Sequence, residues 1–307
     1  MCRHANAAKN QFWIWYYLCC LIHCLEMQKT LKRPISISGK GLFSGEQSSI
    51  TILPAPVNTG IIFQRIDLPG TPEIPALLEF VQDSSRCTRL GVGQASVLMV
   101  EHLLSSLYAY EIDNVRILVS GPEIPSCDGS AKLFAECIEN IGIEIQDQQA
   151  SVLTIENPVF YSRRDVHLVV IPNQGFKISY TLHYPQSDLI KSQFYSFDVI
   201  AEKYREEIAP CRTFSLYEEI LPFIQSGVIN GGGLENALVI QGDKILNLEG
   251  ARFPNEMVRH KVLDLIGDLS LLGKRLCGHV IAICSGHASN VAFAKKISSY
   301  SEGGINV

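Results

Sequence analysis

One order of elements occurs twice in this 307-residue chain, and it constrains the fold more than any other feature. Helical periodicity over 97–112 leads into a strand-like stretch at 114–121, and helical periodicity over 258–273 leads into a strand-like stretch at 278–286. Both strand-like stretches contain Ser-Gly at their end, and a further predicted helix follows each. The repetition predicts an internal duplication, and therefore two similar α+β domains, each with a sheet packed against two helices. Chance similarity of two helix–strand–helix units is the alternative.

The boundary between the two predicted domains falls near the polar stretch QDQQAS, where the composition changes. We therefore expect domain I over 27–148 and domain II over 149–307. Residues 1–26 stand apart, because FWIWYYLCCLIHCL at 12–25 is apolar and holds both tryptophans. A transmembrane helix needs about 20 apolar residues, so this stretch is too short to span a bilayer. A signal peptide is one alternative; we expect an extension outside the fold, with the functional chain starting at Met27.

Charge and cysteine content narrow the class of protein. The formal net charge is −5, and no cluster of Lys and Arg stands out, which argues against a nucleic-acid partner. The ten cysteines include no C-x-x-C pair and no spacing of a disulfide framework. This usage is typical of reduced thiols in a cytosolic protein. Composition therefore favours a globular cytosolic protein that does not bind nucleic acid.

The predicted helix at 258–273 aligns one imidazole with two carboxylates. His260, Asp264 and Asp268 recur every four residues, and four residues advance a helix by about 400°, so all three lie along one side. Neutral imidazole and ionised carboxylate are zinc ligands, and a pair at i and i+4 reaches one ion from a single helical face. His260 and Asp264 are therefore candidate metal ligands, with a solvated polar face as the alternative. Asp268, one turn further on, is a candidate for orienting a ligand or a catalytic histidine.

The first half of the chain offers matching polar residues. His102 stands at the second position of its helical stretch, as His260 does in the other half, and is the candidate third ligand. Glu101 beside it is a candidate general base, with a polar helix start as the alternative. His287 follows the last strand and opens a helix, where it is a candidate proton donor or a helix cap. Asp268 is a candidate partner that keeps His287 protonated.

Three further residues are candidate contacts for a substrate. Lys261 is a candidate partner for an anionic group, with an ordinary solvated lysine as the alternative. In PCRTFS at 210–215, Thr213 offers a hydrogen-bond donor and Phe214 a stacking surface.

Taken together, these stretches resemble one family, the bacterial zinc-dependent UDP-3-O-acyl-N-acetylglucosamine deacetylases. The similarity runs from about Met27 to about Ala294. It is carried by a series of motifs in one order: GKGLFSG (39–45), PAPVNTGI (54–61), VEHLLSSL (100–107), DNVRI (113–117), PEIPSCDGSA (122–131), RTF (212–214), GGGLENALV (231–239), RFPNEMVRHKVLDLIGDL (252–269) and SGHASN (285–290).

The resemblance implies one catalytic Zn²⁺, held by His102, His260 and Asp264. It also implies that Glu101 is the base that activates water. The family fold consists of two similar α+β domains with the active site between them, which agrees with the duplication inferred from the pattern of elements.

Further roles follow from the resemblance alone. His287, paired with Asp268, is implied as the second catalytic group, and Thr213 is implied to bond the carbonyl oxygen of the substrate. Substrate contacts are implied at four positions: Lys261, Phe214, Leu42 and Gly232.

The reaction that the resemblance implies is hydrolysis of the N-acetyl group of UDP-3-O-acyl-N-acetylglucosamine, with release of acetate, in lipid A (lipopolysaccharide) biosynthesis. The substrate is a UDP-linked amino sugar with a fatty acyl chain, for which we expect an apolar channel around 184–234. UDP-sugars are made in the cytoplasm, so we expect a cytoplasmic enzyme, monomeric, with at most peripheral membrane contact.

Two positions depart from the family pattern. Phe43 stands where the family usually has His in its GLH[ST]G turn, which removes a polar group near the substrate. Gly233 stands where the family has Ser. Two other functions stay open at this point: a non-catalytic binder of nucleotide sugars, and a zinc amidase that acts on a different acyl amide. A degenerate binder is expected to lose Glu101, His287 or a ligand, and all of them are present.

Overall fold

The computed structural model describes residues 26–83 and 86–302, and it combines helices with sheets, which confirms the α+β class. Residues 1–25 of the predicted extension lie outside the described residues. In the part of the chain that is described, the α-helices are α1 (Glu101–Ala109), α2 (Lys132–Ile141), α3 (Ala201–Glu207), α4 (Tyr217–Gln225), α5 (Glu256–Ser270) and α6 (His287–Glu302). The strands are β1 (Met27–Leu31), β2 (Ile35–Lys40), β3 (Gln47–Pro54), β4 (Ile61–Arg65), β5 (Glu73–Pro75), β6 (Val81–Gln82), β7 (Arg89–Val92), β8 (Ala95–Leu98), β9 (Val115–Ser120), β10 (Ile143–Gln149), β11 (Val152–Thr154), β12 (Val159–Arg163), β13 (Val166–Ile171), β14 (Phe176–Tyr184), β15 (Lys191–Asp198), β16 (Phe214–Leu216), β17 (Leu238–Gln241), β18 (Lys244–Ile245) and β19 (Arg275–Ile283).

Two large sheets have the same arrangement of strands. The first has the order β2-β3-β9-β4-β5, and the second has the order β12-β13-β19-β14-β15, with β11 paired to β19. In each order the central strand is the last in sequence. It is antiparallel to the strand written before it, β3 or β13, and parallel to the strand written after it, β4 or β14. The predicted internal duplication is compatible with this shared topology.

The helices α1 and α5 lie at the centre of the molecule and pack directly against each other. Every residue of α1 except Tyr108 is buried, and every residue of α5 except Arg259 and Lys261 is buried. A helix that is buried almost all round belongs to the core rather than to the surface. The pair therefore joins the half of the chain that contains α1 to the half that contains α5.

The close approach of α1 and α5 depends on Gly267. A Cβ atom at this position would lie 2.2 Å from the carbonyl oxygen of Glu101, far inside van der Waals contact. Because glycine has no Cβ, the backbone of α5 is able to approach the backbone of α1 at this point. Gly267 directly precedes Asp268, one of the candidate site residues of α5. The close approach of the two helices therefore coincides with the candidate site.

Smaller elements complete the fold. β1 pairs with β10 in an antiparallel ladder, and the N–H of Ala150 donates to the carbonyl oxygen of Glu26 at 2.8 Å. The stretch between α3 and α5 contains α4 as well as β16, β17 and β18. Pro222 lies inside α4, and no residue of α4 is buried, so the core-facing signal that reveals a helix in sequence is weak there. Of the helices in the described residues, none has the length and apolar character to cross a bilayer.

Candidate active site

The polar residues of α1 and α5 converge where the two helices meet. His102, His260 and Asp264 are all buried, and one ligand atom from each lies within 4.8 Å of the others. Asp264 Oδ1 is 3.2 Å from His260 Nε2 and 3.8 Å from His102 Nε2. The two imidazole rings meet edge to face, with their centroids 5.0 Å apart. The three residues predicted as metal ligands are thus brought together.

The donor atoms of this group fit a divalent metal ion. Asp264 Oδ1 is buried and has no hydrogen-bond partner among the described residues. A buried carboxylate oxygen without a partner is costly unless a cation faces it. His260 Nδ1 lies 3.0 Å from the carbonyl oxygen of Cys211, and because that oxygen only accepts, Nδ1 carries the proton. The lone pair of His260 is therefore on Nε2, on the side of Asp264, as in histidines that bind metals.

The protonation states also suit a metal. Burial, and then the neighbouring His260, lowers the pKa of His102 to about 3, so that this imidazole is neutral at pH 7. Burial alone would raise the pKa of Asp264, but His260 and Lys261 outweigh it and hold that pKa well below its ordinary value. Neutral imidazole and ionised carboxylate are the forms that coordinate a metal ion.

Glu101, His287 and Asp268 form a second group beside the first. His287 Nδ1 donates to Asp268 Oδ2 at 2.9 Å, and Asn290 Nδ2 donates to the same oxygen at 2.8 Å. His287 Nε2 lies 3.8 Å from Glu101 Oε1 and 3.9 Å from Asp264 Oδ2. The hydrogen bond to Asp268 fixes the imidazole ring of His287, so that its Nε2 faces both Glu101 and the candidate metal ligand Asp264.

The pKa values of Glu101 and His287 are both raised. Burial raises the pKa of Glu101 to about 8, although His287 acts in the opposite direction. Burial disfavours the cationic form of His287, but Asp268, Asp264 and Glu101 outweigh it and raise the pKa of His287 to about 10. His287 therefore stays cationic at neutral pH beside the Glu101 carboxyl, whose pKa is also raised. Two neighbouring groups with perturbed pKa values are typical of an acid–base site.

Lys261 borders the metal-type group. Its Nζ lies 2.7 Å from Asp264 Oδ2 and 5.5 Å from the centre of the Phe214 ring. Burial lowers the pKa of the Lys261 ammonium, but Asp264 outweighs it and raises that pKa above its ordinary value. Lys261 thus binds Oδ2 of Asp264, whereas Oδ1 stays available to a metal ion held by His102, His260 and Asp264. Its predicted contact with substrate stays a prediction.

Arg212 attaches the RTF segment to the start of α5. Its side chain is buried, and its Nε donates to Glu256 Oε1 at 2.9 Å; its backbone N–H donates to the same oxygen at 2.9 Å. The next two residues, Thr213 and Phe214, line the cavity of the site. The Phe214 ring meets His260 edge to face, with the centroids 6.5 Å apart. Because Glu256 lies in the first turn of α5, this ion pair holds Thr213 and Phe214 in register with the ligand-bearing helix.

Leu42 and Gly232 are brought together by two loops from opposite halves of the chain. The N–H of Gly231 donates to the carbonyl oxygen of Leu42 at 3.0 Å. The buried Glu123 carboxylate accepts the N–H of Phe43 at 2.9 Å and so fixes the first loop. Leu42, Phe43 and Gly232 all line the cavity, and their predicted contacts with substrate stay predictions.

A cavity of about 1170 Å³ connects these residues. Its lining includes the metal-type group, Glu101 and His287, and also the basic residues Arg86, Arg163 and Arg164. Apolar side chains form another part of the lining: Leu182, Ile220, Ile224, Ile229, Leu234, Val239 and Leu246. Several of them lie within 184–234, the stretch in which the sequence predicts an acyl channel.

Sequence reasoning missed Thr88. Its backbone N–H donates to Glu101 Oε2 at 3.0 Å, and its hydroxyl donates to Asp268 Oδ1. The same hydroxyl oxygen is 3.2 Å from His287 Nδ1. Thr88 directly precedes β7, in a stretch with no helical spacing and no motif among those quoted above. No signal in the single chain points to it.

Two imidazoles and a carboxylate beside a Glu–His pair, all lining one cavity of an α+β fold, are typical of metal-assisted hydrolases. The chain belongs to the UDP-3-O-acyl N-acetylglycosamine deacetylase (LpxC) family, whose model matches residues 28–299. This membership confirms the resemblance seen in the motifs.

Named relatives match the chain over most of its length. It is 47% identical over 271 residues to the UDP-3-O-acyl-N-acetylglucosamine deacetylase of Chlamydia pneumoniae, a match that covers 88% of this chain and 96% of the relative. It is 46% identical over 270 residues to the enzyme of the same name from Chlamydia abortus, with the same coverage. The corresponding enzyme of Chlamydia trachomatis serovar L2 is 44% identical over 270 residues, which are 88% of this chain and 94% of the relative.

Proposed function

We propose that this chain hydrolyses the N-acetyl group of UDP-3-O-acyl-N-acetylglucosamine and releases acetate, as a step of lipid A biosynthesis. Its relatives bear the name of this deacetylase. The observation that carries the proposal is the juxtaposition of the His102–His260–Asp264 group with Glu101 and His287 in a single cavity. The reaction takes place in the cytoplasm, where UDP-sugars are made, and the enzyme works as a monomer with at most peripheral membrane contact.

The proposed cofactor is one Zn²⁺, held by His102, His260 and Asp264. Three protein ligands with a fourth position open are typical of catalytic zinc. The unpaired Asp264 Oδ1 and the lone pair on His260 Nε2 support this assignment. When bound, zinc supplies Lewis-acid chemistry, polarising the acetyl carbonyl and lowering the pKa of water.

Glu101 is the proposed general base. Its Oε2 accepts the N–H of Thr88, which leaves Oε1 for the attacking water. As the water oxygen bonds to the acetyl carbon, its proton passes to Glu101. Burial raises the pKa of Glu101, which makes its ionised carboxylate a stronger base than an exposed glutamate.

His287 and Thr213 are the proposed stabilisers of the negative charge that develops on the carbonyl oxygen. Preorganised donors and cations contribute most where charge develops in the transition state. The hydrogen bond from His287 to Asp268 keeps the ring cationic and oriented before substrate arrives. When the carbon–nitrogen bond breaks, the departing amine takes a proton from the Glu101–His287 pair.

Other cavity residues are proposed to bind the rest of the substrate. Lys261, Phe214, Leu42 and Gly232 contact the amino sugar and its nucleotide, and the acyl chain lies along the apolar part of the lining. Phe43, in place of the histidine usual in the family, adds an aromatic face to this cavity. We expect the acyl chain to be required for turnover, because much of the cavity wall is apolar.

Acetate release by the purified 307-residue protein is the direct test. UDP-3-O-acyl-N-acetylglucosamine, the same UDP-sugar without the acyl chain, and simple acetamides are assayed in parallel, with zinc measured by elemental analysis. We expect about one equivalent of zinc per protein chain. Of the three substrates, only the acylated UDP-sugar should release acetate rapidly. Tight binding without turnover would instead identify a nucleotide-sugar binder, and turnover of simple acetamides alone would identify a different amidase.

Two variants connect activity to the proposed site. His260→Ala loses a ligand, so we expect loss of both zinc and turnover. Glu101→Gln keeps the ligand set, so we expect zinc to stay and turnover to fall. Full activity of metal-depleted His260→Ala would overturn the metal assignment. Size-exclusion chromatography and cell fractionation check the proposed monomer and the proposed compartment.

A further inference from the structure

Thr88 lies between Glu101, the proposed base, and Asp268, the hydrogen-bond partner of His287. Its backbone N–H is 3.0 Å from Glu101 Oε2, and its hydroxyl donates to Asp268 Oδ1. The residue is buried, so water does not compete for either bond. Thr88 is not one of the described residues that line the cavity, and it therefore acts only through its neighbours.

We propose that Thr88 is a positioning residue for the deacetylation, an inference that rests on the proposed function. Its N–H holds one oxygen of Glu101, so that the other oxygen faces His287 and the water. Its hydroxyl holds the carboxylate of Asp268, which in turn orients His287. One residue thus fixes the relative position of Glu101 and His287.

The hydrogen bonds of Asp268 explain why the hydroxyl matters. Asp268 is fully buried, and His287 and Asn290 both donate to its Oδ2. Among the described residues, Thr88 donates the hydrogen bond to Oδ1. Without that donor, a buried charged oxygen is left unpaired, and the carboxylate rotates toward another partner. That rotation weakens the hold on His287.

Two substitutions separate the hydroxyl of Thr88 from its methyl group. Thr88→Val keeps the shape and removes the hydroxyl, whereas Thr88→Ser keeps the hydroxyl and removes the methyl. A hydrogen bond to a charged buried group supports a kcat loss of about 10- to 100-fold in Thr88→Val. KM stays near the wild-type value because Thr88 does not touch the cavity, and Thr88→Ser recovers most of the wild-type kcat. A residue that only fills space gives the opposite order, with Thr88→Val close to wild type.

A double-mutant cycle with Asp268→Asn tests whether the hydroxyl acts through Asp268. If it does, Thr88→Val adds little to the loss already caused by Asp268→Asn, because coupled residues are not additive. Full additivity would overturn the proposal. Zinc content is measured for each variant and should match the wild type, since Thr88 is not among the proposed ligands.

A matched control comes from Thr30, another buried threonine, whose hydroxyl donates to the carbonyl oxygen of Asn114 at 2.6 Å. Thr30→Val should lower thermal stability and leave kcat unchanged. If Thr88→Val does not fold, Thr88→Ala and Thr88→Ser give the same comparison, since they differ only in the hydroxyl. Equal kcat in that pair would overturn the role of Thr88, whereas an inactive wild-type protein would overturn the deacetylase function instead.

Discussion

Gly267→Ala tests whether the contact between α1 and α5 sets the geometry of the site. The added Cβ would lie 2.2 Å from the Glu101 carbonyl oxygen and 2.8 Å from the Glu101 carbonyl carbon. Atoms in ordinary contact are about 3.5 Å apart, so the helices must separate by roughly 1 Å here. Overpacking of this kind costs about 1–3 kcal/mol, and the better helix propensity of alanine offsets about 1 kcal/mol. We therefore expect the free energy of unfolding to fall by at most about 2 kcal/mol.

The effect on the site should be larger than the effect on stability. α1 carries Glu101 and His102, whereas α5 carries His260 and Asp264, so separating the helices spreads the proposed ligands and moves the base. A misplacement of about 1 Å costs about 100-fold in rate, which is the fall in kcat that we expect. The measurements are kcat for acetate release, zinc content and urea unfolding.

Gly39→Ala is the control for this prediction. A Cβ at Gly39 would lie 3.3 Å from the Cβ of Pro125, a contact that a shift of a few tenths of an ångström relieves. We expect wild-type kcat and zinc content for this variant. If Gly267→Ala also kept wild-type kcat and zinc, the reasoning that the helix contact sets the site geometry would be refuted.

Three further substitutions test other parts of the site. Glu101→Gln removes the proposed base and keeps the ligands, so kcat should fall about 10²–10⁴-fold at constant zinc content; a parallel loss of zinc would contradict the base role. Asp268→Asn removes the carboxylate that raises the pKa of His287, so the alkaline fall in the kcat–pH profile, expected near the His287 pKa of about 10, should move to lower pH; an unchanged profile would exclude His287 as the group that titrates. Glu256→Gln removes the buried one of the two carboxylates that pair with Arg212 and leaves the exposed Glu249. Removing one partner of a buried ion pair costs about 3–5 kcal/mol, and because Glu249 still faces Arg212 we expect a loss below that range, which urea unfolding measures.

The sequence predicts the larger elements well because their signal is periodic. The helix predicted over 258–273 is α5 (Glu256–Ser270), and the strand predicted over 114–121 is β9 (Val115–Ser120). Both bury apolar residues at regular spacing, which is the property that the pattern reports. The helix α4 lacks a buried residue and contains Pro222, so neither spacing nor propensity reveals it.

The order of strands in a sheet is harder to predict from sequence than the strands themselves. Both central strands, β9 and β19, pair in parallel with a strand that lies well before them in sequence, and the intervening chain contains helices and other strands. Period-2 alternation identifies such strands but not their neighbours, because pairing joins residues that are distant in sequence. The order of elements predicts a duplication, whereas the matching topology of the two sheets required the structure.

The polar side of α5 shows how much a local sequence pattern is able to predict. Helical geometry places His260, Asp264 and Asp268 on one side, but it does not divide them. In the structure Asp264 Oδ1 faces His102, while Asp268 bonds His287. That division depends on which element packs over each turn, and the family motifs predicted it where the spacing did not.

Neither residue spacing nor the family motifs predict the role of Thr88. Its contacts with Glu101, Asp268 and His287 span 13, 180 and 199 residues of sequence, respectively. The bond to Glu101 uses a backbone N–H, which every residue except proline supplies, so it leaves no trace in residue identity. The bond to Asp268 does use the threonine hydroxyl, but a hydroxyl before a strand is unremarkable until a buried carboxylate is known to lie beside it. Residues that position catalytic groups through the backbone are therefore the part of a site that sequence reasoning is least able to find.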